Sequence, residues 1–227
     1  MYLPTREEVR RRSRAIAAAI GLSAASLAGL CGIASAPAAR AQGADVSQEE
    51  LMAGEALPDL ALGAKDAPVT IVEYASMTCA HCAAFYATAF QDLKAKYIDT
   101  GKVRFVLREF PLDPLATAGF MLARCAGDDK RNAVVDLLFA QQKNWMSSSK
   151  PVEALASLLK QTGMSQKSFD ACLNDQNLLE KVMKVHDRAA DKFGVTATPT
   201  FFINGKRQRG EITPAELDKL IEPFLKG

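Results

Sequence analysis

Cys79 and Cys82, with only Ala80 and His81 between them, are the residues best placed for chemistry in this 227-residue chain. Two thiols at that spacing can trade a disulfide with another protein, a reaction that needs one acidic, reachable cysteine whose thiolate attacks sulfur. They can equally supply half of a zinc site or a soft pair for copper(I). A zinc site needs four ligands, and Cys125 and Cys172 stand singly rather than as a second such pair. The two thiols follow the apolar run of residues 69–74 and open a helical-looking stretch over residues 83–96. Cys79 then falls at the first position of a helix, beside unpaired backbone N–H groups and the positive end of the helix dipole, where a thiolate is favoured. Cys82, one turn on, would be more buried and act as the resolving thiol.

Two further residues belong to this neighbourhood by sequence. His81 lies between the cysteines, where its N–H or positive charge would stabilise the Cys79 thiolate and make the disulfide a stronger oxidant; the alternative is a solvated loop histidine. Glu73 is a carboxylate inside an otherwise apolar strand, six residues before Cys79. Burying a charge is costly and raises a carboxyl pKa, so Glu73 is expected to have a task unless it sits at a strand end and reaches solvent. His186 shares a polar helix with Lys184, Asp187 and Arg188 and is expected at the surface. Trp145 and Met146 are expected in the core or at a groove edge, and Phe85, Phe120, Phe139 and Phe169 in the core.

Strand, turn and helix signals alternate around these residues. Residues 57–62, with Pro58, predict a short edge strand, residues 63–68 a turn, and residues 69–74 a strand buried on both faces. A helix over residues 83–97 stops at Gly101 and residues 103–108 form the next strand, which together make a βαβ unit with parallel strands. Residues 110–114, with two prolines, break the pattern. From about residue 115 to 193 no credible strand occurs, and helical patterns run over residues 115–126, 130–144, 152–161, 166–174 and 177–193. Residues 200–203 predict a strand and Asn204-Gly205 a tight hairpin. The antiparallel return over 206–209 carries Lys206, Arg207 and Arg209, read as a small solvated cluster. The last helix has Thr213 as N-cap, Pro214 at its first position and Glu216 three residues on, a capping box.

With 48% hydrophobic residues the chain can bury a substantial core and suits one domain carrying an insertion. The first forty residues differ in kind. Arg6, Arg10, Arg11, Arg12 and Arg14 precede an uncharged, Ala-rich run over residues 15–35, and Ala39-Arg40-Ala41 follows. This is the pattern of a secretory signal cleaved after residue 41, which leaves residues 42–227 as the mature domain. An uncleaved anchor is the competing reading, since the apolar run reaches about 20 residues; lipidation of Cys31 is disfavoured by the bulky Leu30 before it. Removing residues 1–41 takes six of the 28 Lys+Arg and two of the 26 Asp+Glu residues, so the remainder carries a net charge of about −2. The basic balance belongs to the signal, and no nucleic-acid partner is expected. Four cysteines remain, an even number that fits disulfide chemistry in the periplasm.

A CxxC at a strand-to-helix turn is a thioredoxin-like redox motif. Here a βαβ half, a long helical block and a ββα half together resemble an α/β thioredoxin fold with an inserted all-helical subdomain over about residues 115–193, and the chain resembles the DsbA family of thiol–disulfide oxidoreductases. The resemblance spans residues 69–227. It rests on Cys79-Ala80-His81-Cys82, on Arg108-Glu109-Phe110-Pro111-Leu112 after the second strand, and on residues 195–205 with Thr198-Pro199. It implies that Glu73 passes protons to and from Cys82, and that Thr198-Pro199 is a cis-proline loop facing the cysteines and free to pair with an extended substrate segment. It also implies a second, non-catalytic disulfide between Cys125 and Cys172. The implied activity is oxidation of reduced, unfolded exported proteins through a mixed disulfide at Cys79 that Cys82 resolves, with a DsbB-like membrane quinone reductase restoring the disulfide. No cofactor and no metal are implied. The chain is expected to act as a monomer, because about 27 residues between the cleavage site and the first strand are too few for the separate dimerisation domain of many isomerases. The alternatives are a periplasmic isomerase or reductant, kept reduced by another partner, and a copper-binding module of the same fold.

Overall fold

The computed structural model describes residues 45–226. The predicted signal, its cleavage site, the alternative anchor and Cys31 lie outside them. The described chain begins with the short helix α1 (Gln48–Met52) and contributes strands β1 (Ala61–Leu62), β2 (Val69–Ala75), β3 (Val103–Glu109), β4 (Thr200–Ile203) and β5 (Lys206–Arg209) to one sheet in the order β1-β3-β2-β4-β5. β2 is central: it runs parallel to β3, with Ile71 opposite Phe105, and antiparallel to β4, with Ile71 opposite Ile203. Its seven residues are all buried, because both faces are covered. Val72 and Tyr74 pack with Val106, Phe110, Phe193 and Phe202 on one face. Val69, Ile71 and Ala75 belong to the larger core on the other. The period of two therefore aims Glu73 into the larger core, beside Ile71 and Ala75.

After β2 the chain forms α2 (Ala80–Ala87) and α3 (Ala89–Leu93), which runs on into a π-helical turn over Lys94–Ile98. A single helix over residues 83–97 is thus corrected to two, broken at Thr88 (φ −127°, ψ −88°). The Thr88 hydroxyl donates to the Ala84 carbonyl at 2.8 Å, the local competition with the helix backbone that hydroxyl side chains offer. Between β3 and β4 lie only helices: α4 (Pro114–Cys125), α5 (Asp128–Ala140), α6 (Gln142–Met146), α7 (Pro151–Lys160), α8 (Gln166–Leu173) and α9 (Gln176–Phe193). The expected helix 130–144 is also two, because Gln141 leaves the helical region (φ −102°, ψ 10°). The buried Trp145 indole spans that break, donating to the Leu138 carbonyl at 2.8 Å.

The hairpin between β4 and β5 has Asn204 at φ 46° and Gly205 at φ 82°, the positive values that a two-residue turn of this kind demands. A Cβ on Gly205 would collide with the Val46 carbonyl oxygen, and the Val46 N–H donates to the Gly205 carbonyl at 3.0 Å. The cluster predicted on β5 is not solvated throughout. Arg207 is buried, its guanidinium lies over the Phe202 ring and donates to the Phe193 carbonyl, so only Lys206 and Arg209 face solvent. Arg108 is buried too, where Glu55 (2.9 Å), Asp59 (2.7 Å) and the Leu51 carbonyl (2.7 Å) meet it and fasten the lead-in to the sheet. The terminal helix α10 (Pro214–Leu225) has Thr213 as N-cap and a complete capping box with Glu216.

Candidate active site

β2 and α2 bring the dithiol to one end of the sheet. Cys79 is the N-cap of α2 (φ −78°, ψ 118°), one position earlier than the sequence suggested. That is the place where an aspartate or serine oxygen usually accepts the first free N–H groups of a helix. As a thiol the sulfur makes no cap hydrogen bond, yet a negative sulfur there is well served. The Cys79 pKa falls from 9.0 to about 5: the Cys82 thiol donates to it, Thr198 and the backbone N–H groups of Cys82 and His81 add to the effect, and burial opposes them. Cys79 is half-buried, with its sulfur 3.3 Å from the Thr198 carbonyl. Cys82 is fully buried, and its pKa is pushed upward by burial first, then by its bond to Cys79 and, whenever Glu73 is ionised, by that carboxylate. The two thiols are thus unequal, one acidic and reachable, the other held protonated.

The Thr198–Pro199 peptide is cis, which turns the chain so that the Thr198 carbonyl meets Cys79 just before β4 begins. The Thr198 Oγ1 is buried without a hydrogen-bond partner, so it favours the thiolate as a nearby dipole rather than through a formed bond. Glu73 lies in the register between Leu107 of β3 and Phe201 of β4. It is 0% exposed, and neither carboxyl oxygen has a hydrogen-bond partner. Its pKa is raised well above 4.5, by burial first and then by the Cys79 charge. An isolated buried carboxyl of this kind favours the neutral acid, a form able to give up a proton.

His81 is placed differently from the expectation. Its ring is 72% exposed and its Nδ1 lies 3.3 Å from the Glu211 carboxylate. What faces the Cys79 sulfur is the His81 backbone N–H. Cys125, at the end of α4, is bonded to Cys172 of α8, 47 positions on.

Sequence reasoning missed the residues that hold the loop ahead of α2. Thr78 donates to the Asp113 carboxylate at 2.5 Å, and the other Asp113 oxygen caps α4 at the Ala116 N–H (2.8 Å). Ser76 accepts from the Leu112 N–H at 3.3 Å. Gln142, buried at the start of α6, donates its amide to both the Met77 (2.9 Å) and Cys79 (3.0 Å) carbonyls. Asp113-Pro114 is a legible N-cap signal, whereas nothing in the local sequence marks Gln142. His186 was also misplaced: it stacks on Phe110 (ring centroids 4.2 Å apart) and lines a groove of about 620 Å³ with Leu112, Met121, Leu179 and Met183. A polar helix pattern conceals that contact because Phe110 comes from the far end of β3.

Sheet order, cis-proline and an N-capping cysteine together define a protein of the thioredoxin class with a helical insertion. A sequence profile of that family, described as Thioredoxin, matches residues 55–223. The crystal structure of Wolbachia pipientis alpha-DsbA1 superposes with a TM-score of 0.72 at 30% identity, covering 79% of this chain and 97% of that one. A Bacillus anthracis protein provisionally named disulfide bond formation protein D is 30% identical over 172 residues, 73% of this chain and 77% of its own. A Rickettsia bellii protein named as a candidate protein-disulfide oxidoreductase is 34% identical over 168 residues, 72% of this chain and 65% of its own. This chain spans between 53% and 65% of the length of the Rickettsia relatives. The chain belongs to the DsbA-like thioredoxin family.

Proposed function

We propose that this protein is a thiol:disulfide oxidoreductase that introduces disulfide bonds into exported proteins through Cys79 and Cys82. The observation that carries the reading is the inequality of the two thiols, Cys79 with a pKa near 5 and half-buried, Cys82 buried and held protonated. A substrate thiolate attacks Cys79 of the Cys79–Cys82 disulfide, that bond breaks, and Cys82 leaves with the electron pair. Glu73, neutral and buried on the same face of the sheet, is the group placed to give Cys82 its proton. A second substrate thiolate then attacks the substrate sulfur of the mixed disulfide and Cys79 departs as a stable thiolate. Two electrons thus pass to the dithiol, and Cys82 resolves the mixed disulfide only in the reverse direction. A thiolate stabilised in the reduced form makes the pair a stronger oxidant.

The cis Thr198–Pro199 loop offers backbone to an extended substrate segment beside Cys79. Reoxidation falls to a DsbB-like membrane quinone reductase, and the protein works as a monomer in the periplasm. Export rests on the residue pattern of 1–41, and no helix among the described residues is long and apolar enough to cross a membrane. The deciding measurement is the equilibrium of the Cys79–Cys82 pair with glutathione. A potential near ~−120 mV, with oxidation of a reduced unfolded test protein, is expected; one near ~−270 mV would assign the protein as a reductant instead.

A further inference from the structure

We infer that Gln142 is a positioning residue for the dithiol: by donating to the Met77 and Cys79 carbonyls, it holds Cys79 in its N-cap conformation at the start of α2. The inference rests on the reading of Cys79 as the acidic attacking thiol and assigns the inserted helical block a part in producing that acidity.

The contact is built rather than incidental. Gln142 is the first residue of α6 and is 4% exposed. The backbone break at Gln141 redirects the chain there, and the Trp145 indole, bonded back to the Leu138 carbonyl of α5, fixes the angle of the short helix. One amide nitrogen thereby reaches two carbonyls, at 2.9 and 3.0 Å, one on the peptide before Thr78 and one on the peptide after Cys79. The Cys79 carbonyl also accepts from the Ala83 N–H at 3.1 Å, the first hydrogen bond of α2. The same short loop is held on its other side by Asp113, through the Thr78 hydroxyl. Asp113 caps α4 and Gln142 begins α6, so the insertion grips the loop from two directions.

The consequence for the sulfur follows from geometry. The Cys79 thiolate depends on the Cys82 thiol and on the His81 and Cys82 N–H groups aimed at it. That aim is set by the two peptide planes whose carbonyls Gln142 holds. Without the amide, the Met77 carbonyl is left short of a donor and the Cys79 carbonyl keeps only the Ala83 N–H, and a buried polar group turns to find a partner. That turn carries along the peptides that follow Cys79, whose N–H groups at His81 and Cys82 serve the sulfur. Their misalignment raises the thiol pKa.

The test uses the reduced full chain with Gln142→Met, which keeps length and loses the donors, beside Asn144→Ala. The Asn144 side chain donates to the side chain of Gln141, the N-cap of α6, so its removal loosens α6 without touching the loop. Alkylation rate against pH reports the Cys79 pKa, and chemical denaturation reports stability. Gln142→Met is expected to raise the pKa by at least half a unit and to slow alkylation at pH 5 about twofold or more, while Asn144→Ala leaves both unchanged. Gln142→Asn, one methylene too short to reach both carbonyls, gives the same shift and stands in should Gln142→Met fail to fold. Lost stability with an unmoved Cys79 pKa in either Gln142 variant overturns the inference. A wild-type pKa near 9 would instead defeat the reading of Cys79 itself, a separate and distinguishable result.

Discussion

Cys79 and Cys82 are chemically identical in the unfolded chain, and three or four neighbouring groups set them far apart. Reduced protein should therefore alkylate at Cys79 alone, with a midpoint near pH 5; a midpoint above 7, or labelling of Cys82 in the native state, would contradict the geometry. Glu73 makes a second prediction at this scale. Its folded pKa is raised above 4.5, so the folded state binds the proton more tightly, and stability falls as pH climbs from 4.5 toward the folded value. Each unit of that rise costs about 1.4 kcal/mol of stability once the pH lies above both values. Glu73→Gln should abolish this slope in urea titrations taken across the pH range. It should also slow reduction of the Cys79–Cys82 disulfide by dithiothreitol about tenfold or more, the ordinary size of a lost general acid. A variant that keeps both the slope and the rate would remove Glu73 from the mechanism.

At the scale of elements, the hairpin and the insertion carry separable tests. Gly205→Ala places a side chain at φ 82° and against the Val46 carbonyl, and should cost roughly 1–3 kcal/mol in chemical denaturation, the range of a strained backbone position. Replacing Cys125 and Cys172 with serine opens a 47-residue loop in the denatured chain and should cost about 4 kcal/mol in the loop-entropy picture. The dithiol would retain its alkylation profile, since neither bridge cysteine is among the groups that lower the Cys79 pKa. Much of this level could be read from residue order. The capping box at Thr213, the Asn204-Gly205 turn and the apolar β2 are local signals, and local signals survive without tertiary information. The breaks at Thr88 and Gln141 were not legible, because apolar spacing continues across both. In the site, the cysteines and Glu73 were legible from type and spacing, and Thr198-Pro199 through the family resemblance. Gln142, 60 residues beyond the dithiol, and the turn of the His81 ring toward Glu211 depend on which distant segments meet, and no local pattern encodes that.

For the molecule as a whole, the redox state and the folding equilibrium are linked. The reduced form alone has the depressed Cys79 pKa, so it gains stability over its unfolded chain as pH rises from about 5 to 9 and loses that gain as pH falls through 5. The difference between the denaturation midpoints of reduced and oxidised protein should accordingly grow in favour of the reduced form across that window and flatten below pH 5. A constant difference would mean that the thiolate is no better held in the native protein than in the unfolded one.

Val46 is bonded to Gly205 at the hairpin, and the hairpin closes against Thr70 near the beginning of β2, whereas Cys79 follows the other end of that strand. Seven strand residues separate the two ends, roughly 20 Å of extended chain. The described body therefore begins at the pole of the sheet remote from its dithiol. An affinity handle, a fluorophore or a bead attached ahead of Asp45 would leave the dithiol end turned outward and unobstructed, which makes the amino-terminal side the one by which to immobilise this protein when the proposed disulfide exchange is assayed on a surface.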